Sequence, residues 1–539
     1  MVAVRYQTAF RLYPYEKVAD QDRATPVRHP VVIVGGGPIG MALALDLGNR
    51  GISCVVLDDH DGVGMGSRAI CFAKRTLEIC DRLGCADPMV DKGVVWNLGR
   101  VFRDEKEIYT FNLLPEEGHK QPAFINLQQP YFEQFIVEKI REQQANGAPI
   151  DIRGQNCVTA LERREDHVLL DVDTPDGPYQ IEADYLVACD GANSPIRGLM
   201  GLDFDGRVFE DNFLIADIKM KAEFPVERRF WFDPPFNRGE TALMHKQPDD
   251  VWRLDFQLGW DIDREAEMDP DKIRSRVQAM IGEEIDFDLV WTSIYTFRCC
   301  TMKDYRHGRV FFAGDSAHQV SPFGARGANG GIQDIDNLGW KLAAVLSGEA
   351  PDRLLDSYHA ERKHGALENI KNSSRSADFL TPRNPAHALF RDAVLDLVED
   401  HPFARPMVNS GRLSMPCTYD GSALNGVDGL VNGPARSRPG SPCPDARLER
   451  GFLLDHLKTG FGLLAINAPN LTECVVDKTV LPVVHVTSQP GDEMSDRYLG
   501  SHDTAVYLIR PDQHVVARWD HFDHGAVRAA YRIAMGKDL

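Results

Sequence analysis

Four apolar runs, each closed by glycine or aspartate, punctuate the first 320 residues. Val31-Val32-Ile33-Val34 runs into Gly35 and Cys54-Val55-Val56-Leu57 ends at Asp58. Tyr185-Leu186-Val187-Ala188 leads to Cys189-Asp190-Gly191, and Val310-Phe311-Phe312-Ala313 stops at Gly314-Asp315. Short uninterrupted runs of this kind predict strands buried on both faces, as in a parallel sheet. Helical spacing follows two of them, through Ala42, Leu43, Ala44 and Leu47 and through Asp334, Asn337, Trp340 and Lys341. Strand then helix is the unit of an α/β fold. Between about 206 and 298 the pattern turns to alternation, as in Arg228-Arg229-Phe230-Trp231-Phe232 and Val251-Trp252-Arg253-Leu254-Asp255-Phe256-Gln257. Period two predicts antiparallel strands with one covered face. Residues 425–447, rich in Gly, Pro and Ser, read as a linker, followed by shorter strands such as Thr504-Ala505-Val506-Tyr507-Leu508-Ile509-Arg510 and a last helix.

A length of 539 residues suggests two or three domains. The formal net charge of −20 argues against nucleic acid or an anionic membrane surface as partner. Eleven cysteines without CxxC or paired spacing do not form a disulfide framework, and no zinc-like Cys/His spacing occurs, so no metal is expected. With no secretory pattern and no apolar run of about 18 residues, a soluble cytoplasmic protein is expected. Residues 1–29 form an arm that packs across the surface or against another subunit.

Chemistry enters at the strand ends. Gly35-Gly36-Gly37-Pro38-Ile39-Gly40 is a GxGxxG between strand and helix. Gly35 permits the tight turn, Gly37 lets the backbone approach a pyrophosphate, and Gly40 allows close helix packing, with phosphates at the helix N-terminus. Asp58, twenty-three residues after Gly35, suits ribose hydroxyls. This motif alone does not separate NAD from FAD. A second strand ends in Asp190-Gly191, with Ser194 and Arg197 beyond it, and a third in Gly314-Asp315 before a Gly-rich loop, Pro322 to Asn329.

Those three motifs, in that order, resemble the fingerprints of the para-hydroxybenzoate hydroxylase class, the single-component flavoprotein aromatic hydroxylases. The resemblance covers about residues 31 to 375. It implies non-covalent FAD, with Gly35, Gly37, Pro38, Gly40 and Asp58 at the ADP moiety and Asp190 and Arg197 between the FAD and nicotinamide paths. It also implies Asp315 on the ribityl chain, Pro322 beside the reactive ring edge, and the helix start at Gly327, Ala328 and Asn329 facing the flavin pyrimidine. Arg68 resembles the family's arginine near the FAD phosphates, and Gln129 the glutamine reaching the ribityl chain. Arg326 would either reinforce the anionic reduced flavin or face solvent.

The resemblance further implies NAD(P)H and O2 as co-substrates and hydroxylation of a phenol or other activated aromatic through a C4a-hydroperoxyflavin. Same-fold oxidation of a quinone, alkene or N-heteroaromatic is the alternative. Arg253, His245 and Tyr295 on the alternating strands are the candidate substrate-facing residues, alongside Pro322. The expected architecture is a Rossmann-like FAD-binding domain over 30–375 with an interleaved antiparallel substrate sheet at about 206–298. A helical segment and linker follow over 376–439. Residues 440–539, with Leu463-Leu464-Ala465-Ile466 and Tyr507-Leu508-Ile509-Arg510, resemble the thioredoxin-like domain of the phenol hydroxylase and hydroxyphenylpropionate hydroxylase branch. Without CxxC that domain supports dimerisation or structure rather than disulfide exchange, and a homodimer is expected.

Overall fold

A computed structural model describes residues 12–538 apart from 64–68, 222–223, 323, 383, 409–414, 458–459, 470 and 472, together with the backbone but not the side chains of 207–211 and 297. The four apolar runs become neighbours in one sheet. Its parallel order is Val310–Phe312, Tyr179–Ala188, Val27–Val34, Cys54–Leu57, Ile150–Arg153. Val31 to Ile33 and Cys54 to Leu57 are essentially solvent-free, as strands covered on both faces require. Helices Pro38–Asn49 and Gly327–Leu346, both largely buried, pack together against this sheet.

A second sheet carries the alternating segments, with order 318–319, Asp288–Met302, Phe204–Lys219, Val251–Gly259, Thr241–Lys246, Arg228–Phe232, Leu98–Arg103, Lys106–Asn112. Alternation sorts its faces. Leu214, Ala216, Ile218, Ala242, Met244, Trp252, Leu254 and Phe256 pack under helix Pro270–Ile281 through Ile273, Val277 and Ile281. The sheet is wider than the expected 206–298 because the hairpin 98–112 and the pair 318–319 join its edges. Such pairing is a tertiary choice that local patterning does not display.

The C-terminal sheet runs Asp428–Gly429, Val515–Trp519, Ala505–Ile509, Gly462–Ile466, Val483–Val486, and helix His524–Ala534 shares its core. Gly426 and Gly440 bond into Val516 and Val515, so the stretch read as linker edges this sheet. A buried polar cluster ties it to the nucleotide domain. Arg510 bonds Glu361 (2.7 Å) and Asp512, Lys341 bonds Glu361 (2.8 Å), and Arg75 reaches the Asp512 carbonyl and Asp336. All eleven cysteines are free. No helix among the described residues is long and apolar enough to cross a membrane.

Of the N-terminal arm, Arg5 and Tyr6 lie outside the described residues. Tyr13 is buried and donates its hydroxyl to the carbonyls of Gly36 (3.2 Å) and Gly62 (3.0 Å). Asp20 accepts from Arg153, and Gln21 donates to Thr174, so residues 12–23 lie across the first sheet.

Candidate functional site

The three motifs interlock through backbone contacts that leave little room. Gly35 has φ +107°, and a Cβ there would lie 2.4 Å from the Cys189 carbonyl, so the first glycine seats directly on the Asp-Gly strand. A Cβ on Gly40 would lie 2.0 Å from the Gly35 carbonyl, whereas one on Gly37 would meet nothing within 4 Å. The loop is closed at two glycines and open at the middle one, beside the N-terminus of helix Pro38–Asn49, where Pro38 presets the first turn. Asp58 accepts the amides of Gly36 (2.5 Å) and His60 (2.8 Å). Burial lifts its carboxyl above the usual range against those two bonds.

The Asp-Gly and Gly-Asp motifs are also joined. Ser316 Oγ donates to the Ala188 carbonyl (2.7 Å), and Arg197 donates to Ser316 O (3.1 Å) and Ala192 O (2.9 Å) while lying 4.0 Å over the Phe204 ring. Asp190 accepts from the Ile196 amide and caps the following turn. Behind the loop, Asp334 is fully buried and takes Arg362 Nε (2.6 Å), His318 Nε2 (2.7 Å) and the Gly314 amide (2.9 Å). Asp315 itself is exposed at the strand end, its Oδ1 3.9 Å from where a Cβ of Gly327 would stand.

The helix from Gly327 presents its first N–H groups, which have no intrahelical acceptor, at this point. Asn329 does not aim outward. Its amide accepts from the Ala73 amide and Thr76 and donates to the carbonyls of Cys71 and Ala325, stapling the helix start to strand Cys71–Ala73. Pro322 opens the turn closed by the Ala325 amide, and Arg326 is buried against Asn369 rather than solvent-facing. Gln129 accepts from the Ala69 amide (3.0 Å) and donates to Glu133.

Across strand 71–73 lies the sheet face turned away from helix Pro270–Ile281. Cross-strand register arranges it in rows. One row holds His245, Arg253, Asp217 and Trp291; the next holds Phe230, Leu243, Asp255, Ile215 and Ser293; a third holds Gln257, Phe213 and Tyr295. The third row is covered at Phe213 by the helical segment around Ala377 and Val394, while Tyr295 stays 44% exposed. Arg253 is bidentate on Asp217 (2.7 and 2.8 Å), both essentially solvent-free. Burial, then Arg228 and Arg253, depress the His245 imidazole well below its ordinary pKa, leaving it neutral. Burial pushes the Asp255 carboxyl up to about 6, with Arg253 opposing and Asp217 adding to the rise.

Strand-end carboxylates, a backbone loop open only at its middle glycine and a helix N-terminus fit the ribose, pyrophosphate and ring of a flavin dinucleotide. A family model described as FAD binding domain matches residues 28–373. The chain belongs to this FAD-binding family. It is 30% identical over 502 residues, 90% of this chain and 91% of the relative, to a probable NADH-specific resorcinol 4-hydroxylase of Rhodococcus jostii. It is 26% identical, over 81% of this chain and 77% of the relative, to a 3-(3-hydroxy-phenyl)propionate/3-hydroxycinnamic acid hydroxylase of Mycolicibacterium smegmatis. The fold matches the flavin-dependent monooxygenase PieE with TM-score 0.76, 23% identity, and coverage of 95% of this chain and 100% of that one.

In this FAD-binding protein close contacts join Gly40 to Gly35, Gly35 to Cys189 beside Asp190, Asp58 to Gly36, Arg197 to Ser316 and Asp315 to the Gly327 helix start, with Asn329 buried behind it. Arg68 lies outside the described residues. His245 and Arg253 share a row, whereas Tyr295 stands four residues along its strand from Trp291, about 13 Å away at strand rise. Arg253, a candidate substrate-facing residue, directs two of its guanidinium nitrogens to Asp217. Sequence reading passed over Asp255, although period two puts it on the same face as Arg253. It also passed over Asp217 and Cys71, which no local signal distinguishes.

Proposed function

We propose that the protein is an NAD(P)H-dependent flavoprotein monooxygenase that hydroxylates a phenolic ring with O2. The observation that carries this reading is the opposition of two surfaces across strand 71–73. On one side is the helix start at Gly327 beside Asp315 and Pro322; on the other is a sheet face where Asp217 is paired with Arg253, and Asp255 and the neutral His245 stand beside Leu243, Phe230 and Ile215. The named substrates of the Rhodococcus and Mycolicibacterium relatives, phenols in both cases, support it. Bound FAD supplies two-electron transfer from NAD(P)H and the activation of O2.

The chain's own residues bind and orient. Gly35, Gly37, Gly40 and Pro38 admit the pyrophosphate to the helix end, and Asp58 takes the adenosine ribose. Asp315 and Gln129 take the ribityl chain. The free amides of Gly327 and Ala328 favour negative charge on the ring, with Asn329 holding them in place. Asp190 and Arg197 shape the nicotinamide approach, Arg68 serves the phosphates, and Pro322 walls the reactive edge. Arg253 keeps Asp217 neutralised beneath the substrate, and Tyr295 stands at the far rim.

A panel of phenols and phenolic acids, followed by phenol-stimulated NADH and NADPH oxidation with product mass, tests the proposal. A gain of one oxygen with at least one phenol is expected; its absence from every phenol refutes the reading. We also read residues 440–539 as a thioredoxin-like domain without redox chemistry, 376–439 as its connection, and the protein as a cytoplasmic homodimer. Light scattering in solution checks the last point.

A further inference from the structure

The row of the substrate-facing sheet that carries Asp255 is apolar on both sides of it, with Leu243 and Phe230 to one side and Ile215 to the other. Its side chain keeps 18% of its surface accessible, and the neutral imidazole of His245 stands beside it with Nε2 3.9 Å from Asp255 Oδ2. That nitrogen is buried and has no hydrogen-bond partner, on a residue only 3% exposed. An orphaned buried ring nitrogen costs free energy unless a ligand completes it. A separation of 3.9 Å is too long for a direct bond, yet one oxygen atom can sit within hydrogen-bond distance of both groups.

The charges around this gap are unevenly settled. Arg253 and Asp217 cancel each other through two bonds. Arg228, one residue before the Arg229–Met244 pair and therefore on the face of His245, is half-buried and makes no ion pair among the described residues. From the opposite side, strand 71–73 brings only the Cys71 thiol, 4.0 Å from His245 Nδ1, and burial pushes that thiol up to about 11. Among the described residues, Arg228, Arg253, Asp217, His245 and Cys71 are the charged and titratable groups that face Asp255. One anion and one cation, Asp255 and Arg228, remain for a ligand.

Resting on the monooxygenase reading above, we propose that Asp255 is the catalytic base that accepts the proton of the substrate's ring hydroxyl. In this proposal His245 Nε2 holds the same oxygen and Arg228 compensates the charge that develops on it. The substrate class is a phenol whose hydroxyl, not a carboxylate, enters this gap, since a carboxylate would stand against the ionised Asp255. As one oxygen atom of O2 is delivered to the ring carbon ortho or para to the hydroxyl, the C–O bond forms and the O–H proton passes to Asp255. The resulting dienone re-aromatises by losing the proton on its newly oxygenated carbon. The other oxygen atom leaves as water. Its two electrons and one hydrogen come from the hydride of NAD(P)H and its second hydrogen from net uptake of one solvent proton, while Asp255 returns its proton to the product oxygen. Total charge in the gap is unchanged by the transfer, because the proton moves between two groups already inside it.

The test compares wild type with the near-isosteric Asp255→Asn in the FAD-loaded full chain. Two phenols serve as probes, one of high pKa and one already ionised at the assay pH. For the high-pKa phenol, kcat should fall on the order of 10²–10³-fold, the range of one general base, while the dissociation constant from the flavin absorbance change stays within several-fold. Wild-type kcat/KM should rise through about pH 6, the value to which Asp255 is pushed, and this limb should vanish in the variant. The ionised phenol should retain hydroxylation within about tenfold, which shows that the variant is folded and loaded. Equal losses for both phenols, or an unchanged limb, would overturn the proposal and leave the monooxygenase reading standing. If no phenol gains oxygen in wild type, it is that reading which fails.

Discussion

Gly35 and Gly37 sit two residues apart in one loop, yet the structure assigns them different penalties on substitution. In Gly35→Ala the new methyl enters space already held by backbone, 2.4 Å from the Cys189 oxygen and 2.8 Å from the Asp190 nitrogen, at φ +107°. The left-handed region costs an L-residue about 1–2 kcal/mol, and forcing a methyl into packed backbone costs a further 1–3 kcal/mol, roughly. Against this stands about 0.4–1 kcal/mol from the stiffer unfolded chain. The net is about 1–5 kcal/mol, borne by the apoprotein as well as the holoenzyme, since the collision involves no ligand. In Gly37→Ala the backbone is ordinary (φ −74°, ψ −174°) and the methyl meets nothing within 4 Å, so the apoprotein should be unchanged within about 0.5 kcal/mol. The same methyl would occupy the gap left for the pyrophosphate, weakening FAD by on the order of tenfold or more at 1.4 kcal/mol per decade. Melting of apoprotein and flavin-fluorescence titration, run on both variants, separate the two effects. Unchanged FAD affinity in Gly37→Ala, or an apo Gly35→Ala as stable as wild type, would refute the reasoning.

Three further outcomes follow from buried polar contacts. Asp334→Asn should cost about 3–5 kcal/mol in denaturant titration, because Arg362 is left as an uncompensated buried charge. Burial raises the Asp334 carboxyl, but His318 and Arg362 outweigh this and hold it below its ordinary value. Its contribution is therefore complete above about pH 4 and lost as pH falls below, and the variant should show a shallower acid-side loss. Arg510→Ala should remove the guanidinium shared by Glu361 and Asp512, leaving Glu361 with Lys341 as its only remaining cation among the described residues, at a cost of about 3 kcal/mol; calorimetry should then resolve the C-terminal domain as an earlier, separate transition. Tyr13→Phe removes the hydroxyl that bonds Gly36 and Gly62. At about 0.5–1.5 kcal/mol per bond, FAD should bind on the order of threefold to tenfold more weakly, and an unchanged affinity would show that the arm leaves the loop alone.

The nucleotide half of the site was legible because its determinants are contiguous. A strand end, its glycines and the following helix are specified within a dozen residues, as in Gly35 to Leu47, and their geometry is the same wherever that local pattern folds. What local pattern does not contain is how the motifs meet. That Gly35 rests on Cys189 and that Arg197 bonds Ser316 depend on strands brought side by side from more than a hundred residues apart.

The substrate half was legible only as an alternation. Period two told which residues share a face, so Arg253 and Asp255 could be paired from the chain alone. It did not tell which cation would be consumed by Asp217 or which histidine nitrogen would be left without a partner. Nor did it tell that Tyr295 would stand away from both, since register between strands decides those contacts. The sequence by itself determined the cofactor through short, self-contained motifs. Tertiary structure alone decided the polar core between the domains, the Tyr13 strap and the Asp255–His245 gap. Each of those depends on the pairing of distant charges and donors in a low-dielectric interior, where one committed partner changes the chemistry of the next.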